Sequence, residues 1–275
     1  MSRMKVLLTV VTYPLPSRSY DELVCTAGIL ETGEWIRIYP VPLSFLMGQK
    51  VDGKMKSYKY NWIELELNKR ENDFRPESYS PKKYDFEDLQ ILERIDTKKN
   101  WFLRKELCIN NVYTNIKSLI EESKAPANKS LAVFKPSSIE GLEIESVERE
   151  WKDEWIELRK QGDLFTQGKS PEIMIKKLPY KFYYKVTDSA GNKSRMMIED
   201  WEIGQLYWKC LQSTNGDEDK ALAKVRQRYE EEFIRSKDIY LFLGTTMEWH
   251  RRRVSNPFVI IGVFYPKKEL QLNLF

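Results

Sequence analysis

The chain has 275 residues, of which 41% are hydrophobic, 31% charged and 13% aromatic, a composition that supports a core and excludes an intrinsically disordered chain. Lys and Arg total 45 against 41 Asp and Glu, and the resulting net charge of +4 permits a nucleic-acid partner without requiring one. No run of about 18 apolar residues occurs, so no membrane span is expected.

The three cysteines, Cys25, Cys108 and Cys210, are far apart and odd in number, which points to a reducing, cytoplasmic compartment rather than a disulfide framework. The single histidine, His250, leaves no His/Cys zinc set and would have to serve alone in any Ser-His or Cys-His mechanism. No metal site is expected on this ground, although Mg²⁺ chemistry on carboxylates stays open.

In chain order, MKVLLTVVTY at 4–13 reads as a buried strand; it lacks the small-residue cleavage site of a signal peptide. After the Pro-rich turn PLPSRS, residues 22–30 and EWIRIYP form a hairpin with Gly33 in its turn. In the second arm Trp35, Arg37 and Tyr39 share one face, and Ile36 and Ile38 the other. NWIELEL at 61–67 alternates, with Ile63, Leu65 and Leu67 inward and Glu64 and Glu66 outward. Together these strands predict a small curled sheet or partial barrel. Residues 68–86 read as loop, 86–95 as strand or short helix, 99–124 mainly as helix, and 130–147 as extended pieces broken by Pro136 and Gly141.

A helix is expected near 150–160, followed by the polar linker GDLFTQGKSPE. Residues 179–187 and 193–198 form a second hairpin across DSAGN, and Asp200 N-caps a helix burying Ile203, Leu206, Tyr207, Cys210 and Leu211. A helix over 219–235 carries Leu222, Val225, Tyr229 and Phe233 on one face. Strands at 238–244 and 257–265 close the pattern, joined by the long loop TTMEWHRRRVSN. The expected class is α+β, with a β-rich lobe and its following helix over 1–125, a mixed lobe of two hairpins and two helices over 126–265, and a mobile tail over 266–275.

That tail reads KKELQLNLF. Its last five residues resemble the pentapeptide, Gln-Leu-(Ser/Asp/Asn)-Leu-Phe, by which bacterial proteins dock onto the β sliding clamp. The resemblance implies that Gln271 fills a small polar pocket and that Leu272, Leu274 and Phe275 fill a hydrophobic cleft. It covers five residues, and alternation also allows 269–275 to be an edge strand with Leu270, Leu272 and Leu274 inward. The stretches EWIRIYPVP, RPESY, IEDWEIGQLY and FVIIGVFYP resemble a family of bacterial proteins to which no activity attaches. The strand pattern of the first lobe is similar to small PUA-like or OB-like nucleic-acid barrels, by analogy alone.

A clamp partner implies DNA. Three surfaces offer contacts. The 245–256 loop holds Trp249, His250, Arg251, Arg252 and Arg253, an aromatic beside phosphate-binding arginines, or else a solvated basic tip paired with the acidic 230–232 run. The Trp35-Arg37-Tyr39 face has the alternation of a stacking platform, unless its aromatics are core. In DFRPESY, Arg75 either meets a ligand or pairs with Glu77 in a structural turn.

For catalysis, Glu199, Asp200 and Glu202, with Lys185 or Lys193 nearby, are the carboxylates a Mg²⁺-dependent nuclease would use; the same residues suit a helix N-terminus. The chain carries no P-loop, dinucleotide fingerprint or nucleophile elbow. The expectation is therefore a DNA-associated bacterial protein brought to the β sliding clamp in replication, repair or defence against foreign DNA, without a cofactor. The alternatives are a metal-dependent nuclease and a small-molecule or modified-base sensor.

Overall fold

The computed structural model describes residues 2–16, 22–42, 50–51, 54–55, 58–153 and 176–269. The fold is α+β. It divides into two compact units that interleave in sequence, Met1–Ile95 with Glu145–Lys181, and Asp96–Ile144 with Phe182–Phe275. The expected lobes were contiguous instead. The helix region after residue 95 contributes strands to the sheet of the second unit, so it groups there and not with the N-terminal strands. Among the described residues no helix is long and apolar enough to cross a membrane.

The first unit is a closed five-stranded barrel. Its strands are β1 (Ser2–Val11), β2 (Glu22–Leu30), β3 (Trp35–Pro42), β4 (Asn61–Lys69) and β5 (Ser78–Pro81). β1 pairs antiparallel with both β2 and β4, β2 with β3, and β4 with β5. The ring closes through a parallel pairing of β3 and β5, Arg37 opposite Ser78 and Ile38 opposite Tyr79. β6 (Gln90–Arg94) lies along the first half of β4 and settles the strand-or-helix ambiguity of 86–95. The core follows the expected alternation: Ile63, Leu65 and Leu67 are buried beside Val6, Leu8, Ile36 and Ile38. Each such aliphatic side chain contributes about 1.5–3 kcal/mol on burial. Close approach of β1 and β2 needs glycine at 28, where a Cβ would sit 2.4 Å from the Leu7 carbonyl oxygen. β5 lies inside the stretch read as loop. Four residues, SYSP, carry too little alternation to be recognised.

In the second unit, the helix expected over 99–124 is broken. α1 (Lys98–Cys108) stops at Asn110-Asn111, β7 (Val112–Tyr113) follows, and α2 (Ile116–Glu122) starts anew. Asn111 takes a left-handed φ of 50°, which asparagine tolerates, and Asn115 N-caps α2 by accepting from the Lys117 and Ser118 amides. Then come β8 (Leu131–Phe134), β9 (Ser138–Ser146), the hairpin of β10 (Tyr180–Thr187) and β11 (Lys193–Ile198), and α3 (Trp201–Ser213). α4 (Glu218–Arg226) runs on as a π-helix over Gln227–Ile234. Val225, Tyr229 and Phe233 are buried along one line as expected, while Leu222 is half-buried, as are Leu206 and Leu211 of α3.

The last elements are β12 (Tyr240–Thr245), α5 (Met247–Arg251) and β13 (Phe258–Phe264). The sheet order is β7-β8-β12-β13-β11-β10-β9, with the wholly buried β13 at its centre. Residues 266–269, expected in a mobile tail, are held: the Asp238 amide donates to the Pro266 carbonyl, and Asn100 brackets the Lys267 backbone. The remainder of the tail, Gln271–Phe275 included, lies outside the described residues, as do the linker at 162–172 and nearly all of the helix expected near 150–160.

Candidate nucleic-acid interface

The 245–256 connection is a short helix and not a loop. Thr246 caps α5, its hydroxyl accepting from the Trp249 amide at 3.2 Å. This turns His250 inward. The ring is buried between the Thr245 hydroxyl, 2.9 Å from Nδ1, and the Ser123 carbonyl at Nε2. A carbonyl only accepts, so Nε2 carries a proton and donates it to Ser123. His250 thus ties α5 to the end of α2 and is not placed to meet a nucleic acid, contrary to expectation. Trp249, in contrast, is 36% exposed, and Arg251, Arg252 and Arg253 are exposed. Arg252 pairs with Glu248 at 2.9 Å, one turn back on the same helix.

α5 ends in a Schellman turn: the Arg253 amide donates to the His250 carbonyl and the Val254 amide to the Trp249 carbonyl. The residue in the left-handed position is Arg253, with φ of 50°. Glycine is the usual occupant, because a Cβ there costs about 1–2 kcal/mol.

Arg253 lines an open groove of about 690 Å³ built within the second unit. One wall is α2 with the residues after it, carrying Lys117, Glu121 and Lys124; another is the start of β11, with Asn192, Lys193 and Arg195. Five cations face one carboxylate among these lining residues. Asp188 locks the two walls together: its buried carboxylate accepts from the Ile116 amide at 3.0 Å and from the Ala190 and Asn192 amides at 2.9 and 2.8 Å. Burial acts to raise the Asp188 carboxyl, and these donors, Asn192 foremost, overcome it and hold it below its usual range.

The cations differ in how far they are neutralised. Lys124 holds Glu121 at 2.6 Å, Lys193 holds Glu140 at 2.7 Å, and Arg195 meets Glu143 at 2.7 Å while lying 3.4 Å over the Tyr183 ring. Lys117 and Arg253 have no carboxylate partner among the described residues. They leave the groove with uncompensated positive charge, suited to a phosphate backbone.

The other expected contacts lie elsewhere. On β3 the Ile face is core, which turns Trp35, Arg37 and Tyr39 outward; Trp35 is half-buried and Tyr39 exposed, yet Arg37 is only 3% exposed. Its amide donates to the Glu77 carbonyl and its guanidinium to the Ser78 hydroxyl, so the platform has no accessible cation at its centre. Arg75 is buried as well, and its partner is Asp73, not Glu77. Nε and Nη2 reach the two carboxylate oxygens at 2.9 and 2.6 Å. Burial acts to raise the Asp73 carboxyl, and the Arg75 hydrogen bonds and charge overcome it and hold it well below the carboxylate range. Both arginines are interior supports of the barrel.

Among the acidic candidates, Asp200 is 1% exposed. One carboxylate oxygen accepts from the Glu202 amide at 3.0 Å, capping α3, and the other from the Val263 amide at 3.2 Å. The half-buried Glu199 and Glu202 flank it. Among the described residues no group of three His, Cys, Asp or Glu is placed to hold a metal ion.

Lys117, Lys124 and Arg195 escaped the sequence reading. A signal was present, since Lys117, Glu121 and Lys124 fall at i, i+4 and i+7 along α2 and the residues just after it, but its meaning depends on which walls they face.

The family model described as Domain of unknown function (DUF8758) matches residues 2–110. No curated protein matches the chain. A second family model, described as Domain of unknown function (DUF8757), matches residues 112–275, taking in every lining residue of the groove and more than half of the chain. The chain belongs to the Domain of unknown function (DUF8757) family.

Proposed function

We propose that this chain is a DNA-associated bacterial protein of the cytoplasm, recruited to the β sliding clamp through Gln271, Leu272, Leu274 and Phe275, and that the basic groove of its second unit holds a nucleic-acid backbone. Replication, repair and defence against foreign DNA are the settings in which such a protein acts. The observation that carries the nucleic-acid half is Arg253: a charged side chain without a carboxylate partner among the described residues, in a backbone position that favours glycine, lining a groove with Lys117, which likewise has no carboxylate partner among them. The clamp half stands on the pentapeptide. A groove lined by lysines and arginines suits a polyanion better than the apolar pocket expected of a small-molecule sensor.

Arg253→Gly separates a contact from a support. Relief of the left-handed backbone offsets the greater flexibility of glycine, so the variant should be unchanged or up to about 1 kcal/mol more stable. Its affinity for short DNA duplexes and single strands should fall about three- to tenfold, with the salt dependence shallower by about one ion. Lys117→Glu should weaken binding further. Unaltered DNA affinity in both variants would remove the groove from the proposal.

A further inference from the structure

We infer that Phe102 and Leu103, on the outer side of α1, form a second contact surface for the protein that receives Gln271–Phe275; this rests on the clamp reading above. Both side chains are 52% exposed, two large apolar groups adjacent on one helix. The chain at the start of α1 leaves the helical conformation, with left-handed φ at Lys99, Asn100 and Trp101, and is anchored in the second unit, where Trp101 packs against Phe264 and Tyr265 at 5.0 and 4.9 Å; Arg104, in the helical part, is buried. The helix is therefore fixed, with its apolar pair turned to water.

The segment leading to the pentapeptide is fixed to this same helix. Asn100 donates to the Lys267 carbonyl at 3.0 Å and accepts from the Lys267 amide at 2.7 Å. Lys105 holds Glu269 at 2.6 Å, and Lys268 bonds the carbonyls of Ile234 and Arg235. Only Leu270 separates Glu269 from Gln271. Six residues, fully extended, reach at most about 20 Å. A partner gripping Gln271–Phe275 must then sit within that distance of Glu269, and Lys105 is one helical turn from Phe102. A short tether with a fixed root brings the partner's surface against the body of the chain, and the nearest apolar patch on α1 is the one left wet. The occupant is thus the clamp itself, at a part of its surface beside the cleft that takes the pentapeptide.

The test is the affinity of purified β sliding clamp for the full chain, for a free peptide of residues 269–275, and for the chain carrying F102S and L103S together. The full chain should bind about tenfold tighter than the peptide, and the double variant should fall to the peptide's affinity with an unchanged melting temperature. Equal affinity of chain and peptide overturns the inference and leaves the clamp reading intact. So does tighter binding by the double variant, which would mean that Phe102 and Leu103 cover the tail of their own chain. No binding by either chain or peptide overturns both.

Discussion

Arg75 and Arg253 are the same residue type, each in a turn-rich stretch; the two units use them in opposite ways. In the barrel, Arg75 is buried and satisfied by Asp73, and Arg37 is drawn in with it against Ser78. In the second unit Arg253 is exposed, unpaired among the described residues, and set in a groove with Lys117. A buried guanidinium with a bidentate partner organises the fold; an exposed one without a partner is available to a ligand. What separates them is the presence of a carboxylate and the loss of water, neither of which is a property of the arginine.

The largest expected effect breaks the barrel side of this comparison. Asp73→Ala removes the bidentate carboxylate partner of the buried Arg75 and should cost about 3–5 kcal/mol in urea unfolding near neutral pH. The folded-state pKa of Asp73 is depressed, so its contribution is complete above the unfolded value of about 3.9 and is lost as pH falls through the lower folded value. The gap between wild type and variant should accordingly close in strong acid. A loss below about 1 kcal/mol at neutral pH would mean that the pair is not a support.

The same test inside the second unit uses Asp200. Asp200→Ala removes the cap of α3 and the acceptor of the Val263 amide, and should cost about 2–3 kcal/mol by thermal or urea unfolding. Glu202→Ala, at a half-buried position in the first turn of α3, should cost less than Asp200→Ala. Mg²⁺-dependent DNA cleavage that is lost in Glu202→Ala at full stability would revive the nuclease alternative.

The smallest effect sharpens the exposed side. Among the described residues Arg252 pairs only with Glu248, across an open helical turn, so Arg252→Ala should change stability by less than about 0.5 kcal/mol. It also lies outside the groove lining, and its effect on DNA affinity should be smaller than that of Arg253→Gly. Equal losses in the two variants would spread the interface over the whole of α5.

Much of the fold was legible because its signals are local. The alternation of Ile63, Leu65 and Leu67, the Gly33 hairpin, the hairpin across DSAGN, and the cap at Asp200 each depend on residues within a few positions of one another. The long helix over 99–124 was misread for the same reason. Helical periodicity on both sides concealed the stop at Asn110-Asn111 and the restart at Asn115, although the asparagines themselves were the signal. Of the candidate site, Arg253 was legible as part of an arginine run, but its role was indistinguishable from those of Arg251, Arg252 and His250.

By itself, then, the sequence determined an α+β chain, the inward faces of its strands and helices, and a C-terminal pentapeptide of apolar and amide side chains. Tertiary structure alone decided that a four-residue strand closes the barrel, that Arg37, Arg75 and His250 are interior, and that Lys117, Lys193 and Arg253, drawn from three distant stretches, share one groove. The reason is physical. Periodicity and capping are set by neighbours along the chain, whereas the burial of a charge and the identity of its partner are set by whichever residues the fold brings to it.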